Sequence, residues 1–142
     1  MSKIPPILEI QGLNVSFLDP NDASQKIEAV RDVSLAIGEN SFTSIVGESG
    51  SGKSVTSLAI TQLVKSRPIS GKILWRGLAG LKDLLVLDEK EILKIRGKEI
   101  AYVFQDPASS LNPVLRVGPQ IAEAYRAHFD VTEAAAKQNQ TA

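Results

Sequence analysis

Cysteine is absent from all 142 residues, which excludes disulfides and thiolate-held metals and fits a reducing compartment. Net charge is absent too: 16 basic side chains balance 16 acidic ones, so nothing points to nucleic acid or to an anionic membrane surface. No apolar run comes near the roughly 18 residues that a membrane-spanning helix needs. The N-terminus MSKIPPILEI lacks the apolar core of a signal peptide, and the expectation is a chain neither spanning a membrane nor exported by that route. Histidine occurs once, at His128, inside an alanine-rich stretch where it reads as a surface residue. Internal repeats and low-complexity tracts are missing. What remains is 43% hydrophobic and 23% charged, the balance of a soluble globular protein of one modest domain.

The most informative stretch is GESGSGKS, residues 47–54. It places Gly47, Gly52, Lys53 and Ser54 at the fixed positions of the phosphate-loop pattern G-x-x-x-x-G-K-[ST]. A triphosphate is a dense negative charge, and a loop wraps it only if backbone N–H groups converge on it. That concavity needs residues free to take positive φ, which Gly47, Gly50 and Gly52 supply. A helix starting after the loop aims its N-terminal donors at the same phosphates. Lys53 is placed to reach the β- and γ-phosphates, and the Ser54 hydroxyl to ligate Mg²⁺. The flanks suit this reading. FTSIV (42–46) predicts a buried strand entering the loop. SVTSLAITQLVK (54–65), closed by Pro68, predicts a helix with Val55, Leu58, Ala59 and Leu63 on one face.

Upstream, ILEIQGLNVSF (7–17) alternates Leu8 and Ile10, then Leu13, Val15 and Phe17 beyond Gly12. It predicts a half-buried strand bulged at the glycine. A turn-rich loop, 18–26, leads to a second strand at 29–38 with Val33, Leu35 and Ile37 in alternation, antiparallel to the first. Some 40 residues of β-structure before a phosphate loop are unusual for small kinases and GTPases, and no Asn here is followed by Lys, as a guanine-reading motif requires. Downstream, 69–77 predicts a strand with a glycine turn at each end, and Ile100 to Phe104 predicts another. A loop at 108–118 precedes a helix at 119–129 with Pro119 in its first turn, and a further helix starts at Thr132.

Taken together, AVRDVSL, GESGSGKSVT, KIRGKEIAYVFQDP and SSLNP resemble the ATP-binding subunit of an ABC transporter, nearest to importers of dipeptides, oligopeptides, nickel and glutathione. The likeness covers about residues 7–137. It implies an α/β fold: a partial P-loop NTPase core with an N-terminal antiparallel β-subdomain and the start of a helical subdomain. Residues 1–142 are then the N-terminal portion of one such domain, with 7–46 the β-subdomain and P-loop strand, 47–107 the core, and 108–142 the start of the helical arm. The family's roles fall here on Gly47, Ser49, Gly50, Ser51, Gly52, Lys53, Ser54 and Val55 for the phosphates, and on Gln105 as the glutamine near Mg²⁺ and the attacking water. Phe17 falls where an aromatic stacks on adenine; the alternative is a core aromatic on a half-buried strand. A lone Gln at a strand end is usually a solvated terminus, but within FQDP at this distance after a phosphate loop Gln105 reads as the family's glutamine. The implied cofactors are ATP and Mg²⁺. The implied partners are permease subunits, a second ATP-binding subunit and, indirectly, a solute-binding protein, with no nucleic acid. The implied place is the cytoplasmic face of the plasma membrane, peripherally.

LLVLDE (84–89) imitates the strand that would supply Asp88 to Mg²⁺ and Glu89 to water. However, Asp88-Glu89-Lys90-Glu91 is also a helix start, and Ile92 and Ile95 continue at helical spacing. The segment is expected to be a helix cap. After Gly97 the only glycine is Gly118, so no LSGGQ-like signature follows, nor any later apolar run ending in Asp-Glu. A non-hydrolysing nucleotide-binding module therefore stands as the alternative to a transport ATPase.

Overall fold

A computed structural model describes residues 5–22, 24–64, 68–104, 111–129 and 131–132. The chain divides into two compact units, Met1–Leu93 and Lys94–Ala142, taken here one at a time.

The first unit is built on a four-stranded antiparallel sheet in the order β2-β1-β3-β4. The strands are β1 (Leu8–Leu18), β2 (Lys26–Ile37), β3 (Ile69–Gly77) and β4 (Gly80–Asp83). Central β1 buries Leu8 and Ile10, then shifts phase and buries Leu13 and Val15. The shift is the bulge that Gly12 predicts. Ile10 pairs with Leu35 and Leu13 with Val33, so three steps on β1 oppose two on β2. The other neighbour adapts as well, since Gln11 faces Lys72 and Asn14 faces Ser70. At the crossing, a Cβ on Gly71 would lie 2.5 Å from the Gly12 carbonyl oxygen, at φ +109°; only glycine fits. Strand β2 carries two bulges of its own. One holds Asp32 at φ 44°, its N–H donating to Asn14 Oδ1 at 2.9 Å. The other leaves Ala29 unopposed, because Val15 pairs with Val30 and Ser16 with Glu28.

Ile10, Leu13, Val15, Ile73, Leu84 and Ile92 are the largest fully buried side chains, each favouring the folded state by about 1.5–3 kcal/mol. The loop from β1 to β2 is tied by its own carboxylates. Asp22 accepts from Ser24 Oγ at 2.6 Å and Ser24 N–H at 3.0 Å, and the Ser24 hydroxyl foremost holds its carboxyl below the ordinary value.

Helix α1 (Lys53–Ile60) follows the glycine loop. Its end is a Schellman pair, with Leu63 N–H donating to Leu58 O at 2.9 Å and Gln62 N–H to Ala59 O at 3.0 Å. The predicted helix over 54–65 therefore stops at Ile60. Its buried side chains are Thr56 and Ala59, so the inward face is turned from the expected Val55, Leu58, Ala59 and Leu63. The polar Thr56 is admitted because its hydroxyl donates to Gly52 O at 2.9 Å.

The stretch 42–46 differs from expectation more sharply. It joins no strand, and Phe42 and Val46 are 97% and 90% exposed. An apolar run states a preference for burial, but a strand also needs a neighbour to bond, and none of the four strands of the sheet pairs with it. Residues 84–89, by contrast, are as expected. A 3-10 turn, Leu84–Val86, precedes helix α2 (Glu89–Ile95), and Asp88 Oδ1 accepts the Glu91 N–H at 2.8 Å.

In the second unit, the strand expected from Ile100 to Phe104 is reduced to one parallel bridge between Arg96 and Ile100, and Val103 is exposed. The cause is again the lack of a bonded neighbour. Helix α3 (Val117–Arg126) holds Pro119 in its first turn and ends before His128. That histidine is half-buried against Gly97 rather than on a helix surface. Gln120 ties the preceding loop to α3: it accepts the Asn112 N–H at 2.8 Å and donates to Asn112 O at 3.1 Å and Leu115 O at 3.2 Å. Of the helix expected from Thr132, all but its first residue lies outside the described residues. No helix among those described is long and apolar enough to cross a membrane.

Candidate functional site: a glycine loop at the start of a helix

Of the three glycines expected to take positive φ, Gly50 and Gly52 do, at 79° and 86°, and Gly47 does not. Gly52 caps α1 with no side chain of its own, leaving the first helical N–H groups aimed outward. A Cβ on Gly52 would fall 2.4 Å from the Ala29 carbonyl oxygen. The bulge on β2 thus serves as the seat of the loop, and any larger residue at 52 would lift the loop off it. A cleft of about 150 Å³ opens here, lined by Ala29 and by Gly50, Ser51, Gly52, Lys53, Ser54 and Val55.

The Lys53 side chain turns back over this cleft. Its ammonium donates to Gly47 O at 2.9 Å, Glu48 O at 2.6 Å and Ser51 Oγ at 3.3 Å. The loop is thereby wound around a positive charge, and Ser51 N–H closes it onto Glu48 O at 3.2 Å. Ser54 is exposed one residue further along α1. The structure thus brings together Gly47, Ser51, Gly52, Lys53, Ser54 and Val55. Ser49 and Gly50 form the exposed tip.

This donor set fits a phosphate chain: a cation, glycine backbone and a helix N-terminus converge on one small cleft. It also fits Mg²⁺ arriving with the phosphates. Among the described residues no group of three or more His, Asp or Glu could cage a metal, so Ser54 Oγ would share it with phosphate oxygens and water.

Phe17 is half-buried on β1 opposite Ile27, two residues along β2 from Ala29. It is not one of the buried core side chains. Gln105 lies outside the described residues. Ala29, which seats the loop, gave no sequence signal: a bulge without glycine leaves only a slip in alternation.

The ABC transporter family matches residues 30–142. The oligopeptide transport ATP-binding protein OppD of Bacillus subtilis is 42% identical over 96% of this chain and 37% of its own length. The glutathione import ATP-binding protein GsiA of Salmonella typhi is 40% identical over 86% of this chain and 20% of its own. The chain thus spans well under half of the curated relatives it matches. Among solved structures, the dimeric post-hydrolysis state of the ATP-binding cassette MJ0796, bound to ADP and Pi, is similar with a TM-score of 0.74 and 25% identity, over 92% of this chain and 53% of that one. The α/β architecture, a partial P-loop NTPase core beside an antiparallel sheet, is shared with it. On its sequence and its fold, this chain is a member of the ABC transporter family.

Proposed function

We propose that the chain is the N-terminal part of an importer's ATP-binding subunit, coupling ATP binding and hydrolysis to uptake of a peptide-like or similar small solute. The observation that carries this is the phosphate loop: a cation, positive-φ glycines and a helix N-terminus meeting in one cleft. The relatives' roles in oligopeptide and glutathione import support the solute class.

In this reading Gly47, Ser49, Gly50, Ser51, Gly52 and Val55 bind the phosphates through backbone N–H groups. Lys53 leaves the loop carbonyls for the β- and γ-phosphates, where its charge offsets that building up during transfer to water. Ser54 Oγ would hold Mg²⁺, which would neutralise phosphate charge when bound. By family resemblance Gln105 would be the glutamine near the metal and the attacking water, and Phe17 the ring that stacks on the adenine. The partners are permease subunits, a second ATP-binding subunit and, through the permease, a solute-binding protein. The site of action is the cytoplasmic face of the plasma membrane. Residues 7–46, 47–107 and 108–142 divide the work into base contact, phosphate chemistry and the start of the arm that meets partners.

The test is Mg-ATP titration of the chain, or of a complete protein bearing this sequence. A charge-assisted contact is worth roughly 1.5–3 kcal/mol, so Lys53→Ala should weaken binding by about 10- to 150-fold. Unchanged affinity would remove the phosphate-loop assignment.

A further inference from the structure

The far end of α1 carries a side chain where helix stops usually carry glycine. Gln62 stands just past the cap at φ 54°, a conformation in which a Cβ is strained. Its amide nitrogen donates to two carbonyls, Leu84 O and, at 3.1 Å, Leu87 O. Those carbonyls are themselves anchored. Asp83 Oδ1 accepts from Ile73 N–H and Leu85 N–H, both at 3.1 Å, and Leu84 and Ile73 are fully buried. A continuous set of bonds thus runs from the end of α1, through the 3-10 turn, to the middle of the sheet.

At its other end α1 meets β2 where Gly52 lies against the Ala29 carbonyl. Between the two it buries Thr56 and Ala59 and half-buries Val55, Leu58 and Ile60. Its eight residues make a rod about 12 Å long. Bonds made at Gln62 act at the far end of this rod, where the lever about Gly52 is longest.

We propose that Gln62 is a positioning residue of the nucleotide site. Its amide fixes the axis along which α1 presents its N-terminal N–H groups, Lys53 and Ser54 to phosphate. The inference rests on the phosphate-binding reading of residues 47–54. No motif marks it, because Gln62 lies outside the loop and acts at the opposite end of the helix.

Three variants test it by Mg-ATP titration alongside thermal unfolding. Gln62→Gly removes the amide while relieving the positive φ. Gln62→Glu keeps length and backbone strain but has no proton to give at neutral pH. Gln62→Lys keeps a donor of similar reach. The glycine and glutamate variants should bind Mg-ATP about three- to tenfold more weakly at unchanged stoichiometry, the scale of effects seen for residues that act through others. The lysine variant should bind within about twofold of the parent, since it keeps the donor. A glycine variant that melts as the parent does yet binds more weakly separates positioning from support. If glycine fails to fold, the glutamate and lysine pair decides.

The inference is overturned if the donor-free variants bind as tightly as the parent, or if lysine weakens binding as much as glutamate does. Lys53→Ala measured in parallel distinguishes the two levels. If it too leaves affinity intact, the phosphate-loop reading falls and this inference with it. If it weakens binding while Gln62→Gly does not, only the role of Gln62 falls.

Discussion

Phe17 illustrates how far one side chain can be argued from its neighbours. It is half-buried and opposes Ile27, so it covers part of the sheet and keeps a face open. Stacking of a base on an aromatic is worth roughly 1–3 kcal/mol by alanine substitution. Phe17→Ala should therefore weaken ATP and ADP alike, by about 5- to 150-fold, because both carry the same ring. Lys53→Ala should affect ATP more than ADP. If Phe17→Ala instead lowers the melting temperature and spares the affinity of the folded fraction, the ring serves packing alone. At this scale the loop was legible: Gly50, Gly52 and Lys53 adopt what their pattern demands, because positive φ and a lone cation are properties of residue type. Ala29 and Gln62 were not legible. What they do depends on a carbonyl or an amide meeting something distant in sequence.

Among the elements, the start of α2 separates a cap from a metal ligand. The Asp88 carboxylate accepts the Glu91 N–H, and losing such a cap costs about 1 kcal/mol. Asp88→Ala should lower stability by that amount in a denaturant titration and leave Mg-ATP affinity unchanged. A drop in affinity without a drop in stability would make Asp88 part of the site. The strands β1 and β2 were readable from alternation, and the bulge from its interruption at Gly12, because a half-buried strand writes its two faces into the chain. The apolar runs 42–46 and 100–104 were misread for the converse reason. A strand buried on both faces has no alternation, and only pairing distinguishes it from any other apolar stretch. Among the described residues 42–46 pairs with no strand, and 100–104 keeps only the bridge from Ile100 to Arg96.

For the molecule as a whole, those same runs dominate its behaviour. Phe42 and Val46 in one unit and Val103 in the other are exposed, and unpaired apolar segments invite association. The 142 residues contain no signature motif and no later Asp-Glu pair to orient water. Expressed alone, the chain should be poorly soluble and should hydrolyse no ATP above background in a phosphate-release assay. Turnover that disappears with Asp88→Asn or Glu89→Gln would mean that LLVLDE works as a catalytic strand. Fold class was legible at this scale because the loop, its β preface and the motifs after it occur in one order.

The grip of Lys53 on its own loop bears on timing. All three N–H groups of its ammonium already have acceptors, so a phosphate chain must displace bonds as it makes them. Capture is therefore an exchange gated by the loop. A stopped-flow association rate that levels off at high nucleotide concentration would mark release of these bonds as the limiting step; a rate that rises linearly throughout would show that they exchange faster than the nucleotide arrives.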